Sequence, residues 1–179
     1  MKNAARWMFA AVIGLTMIPD VRSDDKHAAK PSTSPAFEAL KKLVGDWVQE
    51  ENAGKADAPI ASSYKLTASG SALHETMFPG TDHEMINVYH MDGENLVFTH
   101  FCALGNQPRL KYQKGSDPKV LEFKSISVSN AKSLNDMHMG QVKFTLKDDT
   151  HLRAEWQGLV DQKPDSAHGV KFDLVRKGK

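Results

Sequence analysis

The 179-residue chain carries one cysteine, Cys102, so it cannot form an intramolecular disulfide. No charge dominates: 23 basic and 22 acidic residues leave a net charge of +1. A balance so close to zero gives no electrostatic footprint for nucleic acid. Aromatic residues are few, at 8%. Gly-x-Ser-x-Gly, His-Glu-x-x-His, a phosphate loop and a dinucleotide fingerprint are all absent, which removes the usual sequence warrants for several enzyme classes. The composition is 40% hydrophobic and 25% charged. That is ordinary for a globular protein and wrong for disorder or collagen. The length fits a single domain.

What is present begins with an N-terminal targeting pattern. Lys2 and Arg6 precede a twelve-residue apolar stretch, Trp7 to Ile18, followed by Pro19 and Val21-Arg22-Ser23. A spanning helix needs about 20 apolar residues, so the pattern predicts a cleaved secretory signal over 1–23 rather than an anchor. Losing Lys2, Arg6, Asp20 and Arg22 turns the net charge from +1 to −1. The expectation is a secreted or periplasmic bacterial protein with no stable membrane anchor. Residues 24–35 are polar and read as a disordered leader.

The remaining chain, 36–179, reads as one all-β domain behind a short helix. Ser34 is a candidate N-cap and Pro35 a candidate first helical residue. Phe37, Leu40, Lys41 and Val44 recur at helical spacing, predicting a helix over 35–44 that Gly45 ends. From Trp47 the period changes to two. Strands are predicted near 46–50, 60–68, 72–79, 84–91, 95–102, 108–114, 119–127, 138–147, 150–158 and 169–177. Turn residues at 69–71, 92–93, 115–118 and 148–149 read as hairpins. Longer loops are expected at 51–59, 128–137 and 159–168, the second with room for one helical turn. Hairpin connections favour an up-and-down antiparallel barrel of about ten strands over a sandwich, because closure removes the exposed edges.

Leu43-Val44-Gly45-Asp46-Trp47 after a helix resembles the opening of lipocalin-like (calycin) barrels, with Gly-x-Trp at the first strand. That resemblance implies an arginine on the last strand over the tryptophan, and Arg176 stands at that place. The stretches EMINVYH (84–90), LVFTHFC (96–102), GNQPR (105–109) and DTHLRAEW (149–156) resemble bacterial secreted barrels of this class whose function is not established. This likeness spans 36–177 and implies fold and location. Nitrobindin-like heme barrels are more distant. They open Gly-x-Trp-x-Gly-x-Gly, whereas this chain reads Gly45-Asp-Trp-Val-Gln-Glu-Glu51.

The Asp92-Gly93 turn sets a register, pairing Met91 with Glu94 and Asn87 with Phe98. The next hairpin sets His100 near Leu110. Alternation then puts a sparse polar set on the inner face: Glu75, Asn87, Tyr89, His100 and Cys102, with Tyr112 and His138. Tyr64 and Leu66 are expected inward on strand two, and Val170, Phe172 and Leu174 share a face on the last strand. Asn106, Gln107 and Arg109 are candidate rim residues. An apolar lumen with a few polar groups is the usual anatomy of a small-molecule site, so the predicted function is binding of a small apolar or amphiphilic molecule, without a cofactor. Two alternatives carry other chemistry. Glu75, His100 and Cys102 could serve an enzyme or redox-active barrel. The groups His83/Met85, His90/Met91 and Met137/His138/Met139 offer soft ligands to a metal or heme carrier, although three consecutive strand residues cannot all face one ion.

Overall fold

The computed structural model describes residues 32–178. The expected signal (1–23) and most of the expected leader lie outside the described residues. Ser34, extended at φ −143°, caps helix α1 (Pro35–Lys41) by accepting from the Phe37 amide at 3.2 Å. Pro35 occupies the first helical position, where its missing N–H costs nothing. The helix is three residues shorter than its apolar spacing predicts. Leu43 and Val44 bond back only three residues, to Leu40 and Lys41. The carbonyls beyond are taken from outside: Arg176 donates to Lys42 and Val44, each at 2.7 Å, and the Trp47 indole to Leu43 at 2.8 Å. Gly45 then enters the sheet at φ +124°, where a Cβ would lie 3.0 Å from the Arg176 guanidinium.

Ten antiparallel strands follow: β1 (Gly45–Gln49), β2 (Ser62–Thr67), β3 (Ala72–Met77), β4 (Met85–Asp92), β5 (Asn95–Phe101), β6 (Gln107–Gln113), β7 (Val120–Ser129), β8 (His138–Leu146), β9 (His151–Val160) and β10 (Lys163–Arg176). Each pairs with its sequence neighbour and β1 pairs with β10, so the sheet closes into a barrel. The seam is short: Trp47, Val48 and Gln49 pair with Arg176, Val175 and Leu174. Arg176 lies 4.5 Å from the Trp47 ring centroid, a cation–π contact worth about 0.5–2 kcal/mol. Away from the seam, Phe78 packs on Phe172 with ring centroids 5.6 Å apart.

The interior is closely packed. Phe98 contacts Tyr89, Phe123 and Trp156 with centroids 4.6, 5.1 and 6.1 Å apart, and Phe144 joins through Trp156. Phe37 and Leu40 of α1 are fully buried at one end. The few aromatics are thus concentrated in the core.

Several expectations shift. The β4–β5 turn centres on Gly93-Glu94 rather than Asp92-Gly93, since Asp92 pairs with Asn95. Only Gly93 has positive φ (+59°), so it takes the first central position, as glycine does in two-residue hairpins. Partners move by two residues (Asn87 opposite His100, Phe98 opposite Leu110), and a two-residue slip keeps every side chain on its face. The expected loop at 159–168 is instead a tight hairpin, with Asp161 and Gln162 at φ 51° and 58°, and β10 starts at Lys163. A bulge between Pro164 and Gly169 takes up the slack that proline imposes on the ladder. The 128–137 connection holds no helical turn. The Asp136 carboxylate accepts from the Lys132 amide at 2.7 Å and ties the loop locally instead. Leu66 is exposed at the end of β2, and Val170 is exposed where β10 runs past β1.

A second bulge, at Gly140 in β8, depends on the absence of a side chain. A Cβ there would sit 2.5 Å from Leu159 and 2.9 Å from His138 Nε2. Gly140→Ala is therefore expected to cost about 1–3 kcal/mol by overpacking. Thermal melting would show this, and an unchanged Tm would contradict it.

Candidate functional site

Strand alternation brings four of the predicted residues into one network. Glu75 on β3 pairs across the ladder with Tyr64 on one side and Asn87 on the other, and Asn87 pairs with His100. Residues directly opposite share a face, so all four side chains meet inside. Glu75 Oε1 accepts from the Ser62 hydroxyl at 2.8 Å. Its Oε2 accepts from Asn87 Nδ2 and from the Tyr89 hydroxyl, each at 2.7 Å. Asn87 Oδ1 in turn takes the proton of His100 Nδ1 at 2.7 Å. Among the described residues no cation pairs with Glu75: its partners are neutral donors, as a buried carboxylate without a counter-ion requires.

Burial governs the ionisable neighbours. Burial, then the Glu75 carboxylate, raise the Tyr64 and Tyr89 phenols well above their usual range and keep them as donors. Burial alone lowers His100 to about 4, so its imidazole is neutral at pH 7. With Nδ1 donating to Asn87, the Nε2 lone pair has no partner among the described residues. The ring lies 4.8 Å from that of Trp156.

The other predicted residues lie elsewhere. Cys102 follows β5 in the turn to β6, half-buried, with its thiol raised by burial and with no bond to His100 or Glu75. A raised thiol is a poorer nucleophile. Asn106 donates to the Met137 carbonyl at 2.8 Å and stitches that turn to the β7–β8 loop, while its buried Oδ1 has no partner. His138 is fully buried, with Nδ1 donating to the Asp136 carbonyl and Nε2 accepting from Ser125. This is an anchoring role away from Glu75. Gln107 bonds the Gly105 carbonyl, and Arg109 pairs with Asp92 on the outer face at 2.7 Å. Trp47 and Arg176 close the helix end. Among the described residues, no three His, Cys, Asp or Glu side chains are grouped so as to hold a metal ion.

Tyr112 leads to open space. Its ring packs on Phe123 at 5.7 Å and it borders a cleft of about 660 Å³ beside the start of α1. Leu96, Leu121, Ala36, Pro35 and Pro118 give this cleft an apolar lining. Leu96 and Leu121 are themselves core residues, 2% and 1% exposed. The rim is polar, with Ser34, Asn95, Gln113 and Ser116, and with Lys111, Lys114 and Glu94 carrying charge. A smaller cleft of about 430 Å³ lies on the other side of Pro35 and Pro118, bordered by Trp47, Leu146 and Arg176. The helix therefore covers its end of the barrel with space on both flanks.

Sequence reasoning missed Ser62 as a network member, although it shares alternation with Tyr64. The cleft had no such signal, because its walls come from α1 and two separate hairpins. No protein-family model matches the chain, and no curated protein sequence matches it.

Proposed function

We propose that this protein is a secreted, lipocalin-like barrel that binds a small, largely apolar molecule, seated at the helix end. The observation that carries this reading is the 660 Å³ cleft with core leucines at its base and a polar rim. Its size lies within the roughly 300–1,000 Å³ of small-molecule sites, and its layout matches their apolar lining with a few polar groups. The middle of the lumen is filled by Phe98, Phe123, Phe144 and Trp156, so the ligand reaches the interior from its end. The Glu75–Asn87–His100 network is no part of the cleft lining. The Gly45-Asp46-Trp47 strand with Arg176 stacked over the indole supports the lipocalin-like kinship. The N-terminal apolar pattern supports secretion.

A panel of fluorescent lipophiles, with native mass spectrometry of the purified chain, tests the reading. Saturable one-to-one occupancy is expected. Gly115 borders the cleft, and a Cβ there meets nothing within 4 Å. Gly115→Trp should therefore fold normally and weaken binding. No occupancy in the unsubstituted protein would overturn the reading.

A further inference from the structure

The end of the barrel away from α1 gathers soft donor atoms. Strand β5 starts at the cleft with Asn95 and Leu96 and reaches this other end at Phe101. The β4–β5 ladder sets Asn87 opposite His100 and Ile86 opposite Phe101, and its next step sets Met85 opposite Cys102. Met85 and Cys102 each stand two residues along from Asn87 and His100, so they take the same inner face. Met85 packs against the core, and Met77 pairs with it from β3. Cys102 donates its amide to the Asn106 carbonyl at 3.2 Å, which continues the row toward β6. Directly opposed residues bring their Cβ atoms to about 4.5–5.5 Å. His100 stands two strand steps, roughly 7 Å, from Cys102. That gap is too wide for a direct hydrogen bond and suits an ion bonded to both.

The donors along this row are unevenly used. Met77 Sδ accepts from Asn87 Nδ2 at 3.4 Å. His100 is 1% exposed, its Nδ1 is held by Asn87, and its Nε2 lone pair has no partner among the described residues. Asn106 is 7% exposed, and its buried Oδ1 has no partner either. Unpaired buried acceptors are rare in folded proteins and call for a group that brings a proton or a positive charge. Burial raises the Cys102 thiol, while the Leu104 and Ala103 amides act the other way, as they would beside a thiolate.

We infer that Met85, His100 and Cys102 hold a soft monovalent metal ion, Cu(I), independently of the cleft and its ligand. Only two of the three donors are His or Cys, and the third is a thioether, a ligand that soft metals accept and hard ones refuse. On binding, the Cys102 S–H bond breaks, an S–Cu bond forms and the proton leaves to solvent. The copper stays Cu(I), so no oxidant or reductant is needed. The thiolate cancels the single charge of the ion, and the imidazole and thioether stay neutral. A divalent ion would leave one positive charge uncompensated in a half-buried place, which burial penalises.

The test titrates Cu(I), kept reduced under argon, into the purified chain in competition with bicinchoninate, whose copper complex is coloured. The protein is expected to withdraw one equivalent and, once loaded, to resist alkylation of Cys102 by iodoacetamide as read by mass spectrometry. Zn(II) should not protect the thiol. Cys102→Ala, Met85→Leu and His100→Gln each remove one donor atom, and each should weaken uptake by at least about tenfold, no less than the loss of an outer partner of a metal ligand. Met85→Leu conserves volume and His100→Gln keeps a donor to Asn87, so both should fold, which circular dichroism would check. Met91→Leu, on the same face of β4 at its other end, should leave uptake unchanged. A chain that takes no copper from bicinchoninate, or uptake indifferent to Cys102→Ala and Met85→Leu, would overturn the site.

Discussion

Asn87→Leu is expected to lower the unfolding free energy by about 3–5 kcal/mol, the cost of leaving two buried polar groups each short of a partner. Asn87 is fully buried and is the joint of the network. Its Nδ2 supplies one donor to Glu75 and its Oδ1 takes the proton of His100 Nδ1. Leucine has nearly the same volume, so little of the loss would come from a cavity. What remains is a carboxylate with one donor fewer and an imidazole N–H facing hydrocarbon. For a domain stable by about 5–15 kcal/mol this is a large fraction. Urea denaturation gives the measurement, with an unchanged slope showing that the denatured state is the same. The companion Asn87→Leu with Glu75→Met, His100→Phe, Ser62→Ala and Tyr89→Phe removes the network as a whole. It should recover much of the loss, because replacing both partners of buried hydrogen bonds with apolar groups of similar shape can be nearly neutral. A loss below about 1 kcal/mol for Asn87→Leu would show that the network is reached by water and that its burial is overstated.

The second large effect is a dependence of stability on pH set by His100. Burial lowers this imidazole from its ordinary 6.5 to about 4. Between those values the unfolded chain binds a proton that the folded chain refuses. Stability from this group is therefore complete above about pH 6.5, falls as the pH drops toward 4, and levels off below. A difference of this size corresponds to about 3 kcal/mol in all. His100→Gln keeps an N–H that can donate to Asn87 and cannot titrate. It should flatten the stability profile between pH 4 and 6.5 relative to the unsubstituted protein. The same slope in both would assign the acid sensitivity to other groups.

Much of the barrel is visible along the chain. Period-two alternation in Leu73-His74-Glu75-Thr76-Met77 and in Asn87-Val88-Tyr89 assigns the inner face without any tertiary information. It also survives a misplaced turn, because moving the turn by one residue moves the pairing by two. Glu75, Asn87, Tyr89 and His100 were legible for that reason. Cys102 and His138 were placed on the same face by parity, but parity is silent on height along the barrel. One lies beyond the end of β5, and the other anchors the β7–β8 loop. The bulge at Gly140 leaves the alternation along β8 intact and shifts it on β9, where Gly158 and Leu159 are buried in succession.

The sequence by itself determined the class of fold and the polar side chains that share its interior, because both follow from local periodicity and turn chemistry. Tertiary structure alone decided what those side chains do to one another and where space is left. Glu75 acquires hydroxyl and amide donors in place of a cation because strands β2, β3 and β4 lie side by side in one register. The middle of the lumen fills because a small set of aromatic rings converges from five strands. The cleft opens because α1 is pinned at its C-terminal end by Arg176 and Trp47 and rests across hairpins distant in sequence. Such a gap is a property of how separate surfaces fit, and no local pattern of residues encodes it.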